Sequence, residues 1–148
     1  MDNYKISVLM SAYNTGKYVH QAINSILDQS YNDFEILISD DGSTDNTRDI
    51  IESIDDYRIK TFHNSINRGK TFTVNSLAKK VTGSFITIHD SDDISLPNRF
   101  EKQISAFKSN PQLAMCGTGF YYVKKDLSLF RKVTMSNDYH QILKDLKE

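Results

Sequence analysis

Two acidic clusters hold the residues of this chain best suited to chemistry: Asp40-Asp41-Gly42-Ser43 and Asp90-Ser91-Asp92-Asp93. Carboxylates brought close together repel one another and raise each other's pKa values. A divalent cation removes the conflict, and carboxylate oxygens suit Mg2+ or Mn2+. So few protein ligands leave room for phosphate oxygens to complete the metal's shell, where it would stabilise charge on a departing diphosphate. A carboxylate elsewhere on the same rim can accept a hydrogen bond from a base edge or a ribose hydroxyl. Tyr13 offers a ring face for stacking.

These clusters cooperate only if the fold brings them together. Residues 6–10 read as a buried strand, followed by the stripe Val19, Ala22, Ile23, Ile26 and Leu27 at helical spacing. Residues 34–38 form a second strand, then Thr47, Ile50, Ile51 and Ile54 a helix. A third strand near 58–62 precedes a helix with Val74, Leu77, Ala78 and Val81. A fourth covers 85–88, and Pro97 suits the first turn of a helix carrying Phe100, Ile104 and Phe107. A fifth strand is expected within residues 113–123. Repeated strand–helix alternation predicts a three-layer α/β/α domain with a mostly parallel, twisted sheet. In such sheets the ligand crevice lies beyond the carboxyl ends of the strands, where the winding reverses. Ser11-Ala12-Tyr13-Asn14 follows the first strand, the first acidic pair follows the second, and Asp90-Ser91-Asp92 follows the fourth. Three polar clusters distant in sequence thus land on one rim.

The chain has the size of one domain, 148 residues, and its 18 Lys and Arg nearly balance 19 Asp and Glu. No basic field exists to attract nucleic acid, and none is expected as a partner. No Gly-x-Gly-x-x-Gly follows the first strand and no Gly-x-x-x-x-Gly-Lys-Ser/Thr occurs, which argues against dinucleotide and P-loop binding. The segment 90–101 half resembles a calcium loop, but Ile94 and Ser95 stand where a ligand and a glycine are required. Absence of a signal-like start or a run of ~20 apolar residues predicts a soluble, cytoplasmic chain. The single cysteine, Cys116, fits that compartment and reads as a small buried apolar residue.

With these features in place, residues 40–47 (Asp-Asp-Gly-Ser-Thr-Asp-Asn-Thr) and 90–93 resemble the family 2 glycosyltransferases of the GT-A fold. Residues 7–14 resemble that family's opening strand, and Asn67-Arg68-Gly69 with Asn75 and Ala78 its middle segment. The likeness covers roughly residues 4–123 and implies roles position by position. Asp92 matches the last acid of the D-x-D motif, a direct ligand of Mn2+ or Mg2+, and Asp90 the first, near ribose and metal. Asp41 matches the acid that bonds the uracil edge, Ser11 and Tyr13 line the base pocket, and Arg68 stands where a basic residue approaches the nucleotide. Ser11 or Ala12 stands where most members have proline.

The resemblance implies inverting, metal-assisted transfer from a nucleoside-diphosphate sugar, with UDP the expected nucleotide, to a polysaccharide or glycolipid. It also implies a general base beyond residue 148, so that residues 1–123 form the donor core and 124–148 begin an acceptor side. Peripheral association with the inner membrane face fits such an acceptor. Alternatives are a non-catalytic nucleotide-sugar-binding module and, less well supported, a sugar nucleotidyltransferase, which needs a Gly-rich basic loop after the first strand.

Plainer roles compete at several positions. Ser43 or Thr44 is expected to cap a helix, Asp93 to be structural, and His89 to pack at its strand end. Arg68 and Lys70 can equally be surface charges. Tyr139, Ile142, Leu143 and Leu146 have helical spacing and would offer an apolar stripe for self-association into a homo-oligomer.

Overall fold

The computed structural model describes residues 4–124 and 126–134, and the chain divides into two compact units between Ile104 and Ser105. The first holds β1 (Ile6–Ala12), α1 (Val19–Leu27), β2 (Phe34–Asp40), α2 (Thr47–Glu52), β3 (Ile59–His63), α3 (Lys70–Ala78) and β4 (Phe85–Ile88). Helix α4 (Arg99–Ser109) begins in it and runs across the division.

The sheet is all parallel with order β3-β2-β1-β4, so the chain winds outward from β1 to β3 and then crosses back to the far side of β1. β2 is buried along its whole length, as a parallel strand covered on both faces should be. Alternation sorts its two faces. Ile6, Val8, Met10 and Ala12 with Phe34, Ile36 and Ile38 pack against α1, α2 and the start of α4, through Val19, Ile23, Ile26, Ile51, Phe100 and Ile104. Leu9 and Leu37 pack on the other side, against Leu77 of α3. The three-layer α/β arrangement is therefore present within this unit.

Several boundaries differ from the sequence expectation. α2 ends at Glu52, leaving Ile54 outside the helix but packed on the core. α3 ends at Ala78, and Val81 packs against the Leu9–Leu37–Leu77 cluster from the following loop. Pro97 lies in a turn before α4, where the Leu96 carbonyl accepts from Arg99 N–H.

In the second unit, β5 (Phe120–Val123) pairs antiparallel with β6 (Leu129–Val133) as a separate two-stranded sheet. The fifth strand thus occupies only the end of its expected range. Leu127, with φ 62°, sits in the connection between them. The division between units falls before β5, whereas the division by role expected after residue 123 falls behind it. Cys116 is half-buried rather than buried. The helix expected around Tyr139–Leu146 lies outside the described residues. No helix among those described is long and apolar enough to cross a membrane.

Candidate functional site

Strand β1 lies between β2 and β4, so the loops leaving these three strands meet at one edge. There they enclose a cleft of about 300 Å³ with the segment that opens α3. Ser11, Tyr13 and Thr15 line it from β1 and its loop, Asp41 from β2, Asn67, Gly69 and Lys70 from the start of α3, and Asp90, Ser91 and Asp92 from β4. The crevice sits where the winding reverses, as a parallel sheet of this order dictates.

Asp41 is the most tightly held of these residues. It is buried, and its Oδ1 accepts from Asn64 Nδ2 at 2.7 Å, Thr73 Oγ1 at 2.9 Å and Arg68 N at 3.0 Å. Its Oδ2 accepts from Gly69 N at 2.8 Å. Burial pushes this carboxyl up, but those donors outweigh it and bring it below the ordinary aspartate range. The next residue must be glycine on two counts. Gly42 has φ 75°, and a Cβ there would stand 2.5 Å from the Ile66 carbonyl carbon. That close approach lets the 66–69 segment wrap the Asp41 carboxylate.

Asp40, one residue earlier, has a different fate. Its carboxylate accepts from Ser43 N at 3.2 and 3.3 Å, closing the turn, and it is absent from the cleft lining. Neither Ser43 nor Thr44 caps α2. Asp45 Oδ1 takes that work, accepting from Thr47 N at 3.0 Å and Thr47 Oγ1 at 2.5 Å.

Asp90 is paired with Lys70 at 2.5 Å, and both are partly exposed. Asp92 lines the cleft and is exposed. Asp93 is outside the lining; partial desolvation first, then the charges of Asp92 and Asp90, push its carboxyl up. His89 is buried and its Nε2 has no hydrogen-bond partner. Burial, then the nearby Arg99 charge, pushes it down to about 4, so it is neutral at pH 7. It packs at the strand end, as its sequence position suggested.

The structure therefore brings Ser11, Tyr13, Asp41, Asp90 and Asp92 around one cleft. Arg68 joins only through its backbone N–H to Asp41; its guanidinium lies 4.4 Å from the Phe72 ring centroid. The cation–π contact with an exposed ring one helical turn on explains why the side chain turns away from the lining. Lys70 is the cation at the cleft instead, being the first residue of α3. Asn64 and Thr73, which hold Asp41, were not singled out from sequence, and neither has a signal there beyond being polar.

Among the described residues no group of three or more His, Cys, Asp or Glu side chains is arranged to hold a metal ion. Asp90 and Asp92, two carboxylates on one wall, suit a cation that takes its other ligands from a bound phosphate group.

The arrangement has the GT-A fold of glycosyltransferases. Residues 7–147 match the family model for glycosyl transferase family 2, and the chain belongs to that family. It is 35% identical over 147 residues to the Escherichia coli UDP-Glc:alpha-D-GlcNAc-diphosphoundecaprenol beta-1,3-glucosyltransferase WfgD, covering 98% of this chain and 57% of that protein. The chain thus spans about half the length of this curated relative. Among solved structures, S. aureus TarS 1-349 in complex with UDP superposes with a TM-score of 0.66 at 28% identity, covering 72% of this chain and 33% of that one. A mannosyltransferase from Pyrobaculum calidifontis, in complex with GDP-Man and Mn2+, gives 0.60 at 26% identity over 77% of this chain and 33% of its own.

Proposed function

We propose that this chain is the donor-binding half of an inverting, metal-assisted glycosyltransferase that moves a sugar from a nucleoside diphosphate, UDP above others, to a saccharide or glycolipid acceptor. The observation that carries this reading is the state of Asp41. An ionised carboxylate only accepts hydrogen bonds. Its Oδ1 already serves three donors while Oδ2 serves one, so a further donor is best received at Oδ2. Uracil and guanine offer an N–H at the pairing edge, whereas adenine and cytosine present an acceptor nitrogen there. The UDP complex of TarS and the UDP-Glc donor in the name of WfgD support the choice of uracil.

In this reading Tyr13 gives the base a stacking face and Ser11 lines the same pocket, while Arg68 acts through its backbone. Asp92, with Asp90, would hold Mn2+ or Mg2+, and that cation would supply positive charge to the departing diphosphate. Lys70 adds a second cation beside Asp90. The β-1,3 linkage in the name of WfgD supports inversion for an α-linked donor, and its undecaprenol acceptor supports work at the cytoplasmic face of a membrane. Because this chain covers only 57% of WfgD, a second reading is a donor-binding module without turnover. Slow hydrolysis of UDP-glucose with no transfer to an added acceptor would favour it.

Calorimetric titration of UDP, with and without Mn2+, tests the proposal. Saturable binding that weakens at least tenfold without the metal is expected, and Asp92→Ala should remove the metal dependence. No binding of UDP by the folded chain would overturn it.

A further inference from the structure

Three successive backbone N–H groups of the β1–α1 loop, those of Asn14, Thr15 and Gly16, are all taken by side chains from the β2–α2 segment. Ser43 Oγ accepts from Asn14 N at 3.0 Å, Thr47 Oγ1 from Thr15 N at 2.8 Å, and Asp45 Oδ2 from Gly16 N at 3.1 Å. Two bonds run the other way: Asn14 Oδ1 accepts from Thr44 N at 2.9 Å and from Thr44 Oγ1 at 3.3 Å. The fit is close. A Cβ on Gly16 would stand 2.1 Å from Asn46 Oδ1.

Asn14 has φ 53°, a left-handed conformation that asparagine tolerates better than most residues. Immediately before Tyr13, the Ala12 carbonyl accepts from Asp41 N at 2.8 Å. Tyr13 is therefore the one residue between two fixed points, Ala12 and Asn14, and both are bonded to the segment that carries Asp41. The ring stays about half exposed at 44%, so its own packing does not hold it; its backbone does.

We propose that Asn14 is a positioning residue for donor recognition, locking Tyr13, which meets the face of the base, to Asp41, which meets its edge. This rests on the reading of the cleft as a nucleotide site. Preorganising the two contacts removes the ordering cost that a free loop would meet on binding. Neither the hydrogen bonds of Asn14 nor its left-handed backbone alone does this work. The first ties the loop to residues 43–44, and the second turns the chain so that Thr15 and Gly16 reach Thr47 and Asp45.

The test is UDP affinity, measured by calorimetry in the presence of Mn2+, for a set of variants of this chain. Asn14→Ala should weaken UDP about tenfold, and Asn14→Gly, which keeps the backbone conformation but not the acceptor, by at least threefold. Asn14→Asp, which keeps an acceptor oxygen and tolerates the same conformation, should recover affinity to within threefold of the wild type. In a Tyr13→Ala background, Asn14→Ala should cost less than twofold more, because the residue acts through the ring. A general loosening of the fold would not produce that non-additivity. If Asn14→Ala does not fold, Asp45→Ala opens the other side of the clasp and should show the same dependence on Tyr13. Affinity within twofold of wild type for Asn14→Ala, or a full tenfold loss that persists without Tyr13, would overturn the proposal while leaving the nucleotide site standing. A wild-type chain that binds no UDP would overturn both.

Discussion

Two buried carboxylates mark the two ends of β2, on the same side of the sheet and ~20 Å apart along the strand. Glu35, at the amino end, accepts at Oε1 from Ser7 Oγ, Thr82 N and Thr82 Oγ1, and at Oε2 from Lys60 Nζ at 2.8 Å, with Lys5 Nζ at 3.8 Å. Asp41, just past the carboxyl end, has four neutral donors and no cation. Both are held below their ordinary pKa values against the effect of burial, Glu35 at about 2. Their surroundings differ in what is left open. Glu35 is matched by cations and saturated, and it braces β1, β3 and the loop before β4. Asp41 keeps its charge through dipoles alone, lines a cleft, and has an oxygen with a single partner. Burial and a shifted pKa do not by themselves separate a brace from a site; the charge of the partners and the unused acceptor capacity do.

The largest effect expected from breaking this contrast is at the brace. Glu35 has a folded pKa depressed from 4.5 to about 2, so its stabilisation is complete above pH 4.5 and is lost as pH falls towards 2. About 3 kcal/mol is at stake by that linkage. Urea unfolding should show Glu35→Gln to be less stable than the wild type by about that amount at pH 7, with the gap narrowing between pH 4.5 and 2. UDP affinity of the folded variant should change less than threefold.

Asp41→Asn should do the reverse. The amide puts N–H groups against donors already present, at a stability cost of about 1 kcal/mol. UDP affinity should fall about 30-fold, ~2 kcal/mol, because a charge-assisted acceptor is lost. If stability falls further than affinity, Asp41 is a second brace and the contrast fails. The smallest effect belongs to Lys70. Its ion pair with Asp90 is partly exposed, so Lys70→Met should change unfolding free energy by less than ~0.5 kcal/mol. A loss of more than ~2 kcal/mol in denaturant titration would place Lys70 with the braces.

Much of the architecture was legible in the sequence because parallel strands covered on both faces read as mainly apolar runs, as residues 6–10 and 34–38 do with only Ser7 and Glu35 interrupting them. The helices on the main core showed their stripes for the same reason. The hairpin was less legible. Phe120–Val123 is a largely exposed run of aromatic and apolar residues and Leu129–Val133 carries Arg131 and Lys132 among its apolar ones, so no periodicity marks their pairing. At the site, the family resemblance singled out Asp41, while the turn that uses up Asp40 became visible only in the fold. Nothing local could choose between Arg68 and Lys70, two cations of one short segment. The start of α3 and the ring of Phe72 made that choice.

The sequence by itself determined the order of strands and helices, the parallel sheet, and the rim on which the acidic clusters fall, since these follow from periodicity and from chain connectivity. Tertiary structure decided which atoms of those clusters are used up and which are left open. The bonds that hold Asp41 and Asn14 join residues 23 to 32 positions apart. Such bonds depend on a close approach of loops, permitted at Gly42 and Gly16 by the missing side chain. Hydrogen-bond capacity is a property of an atom's neighbours in space, and the types of residues along a chain do not reveal which neighbours those will be.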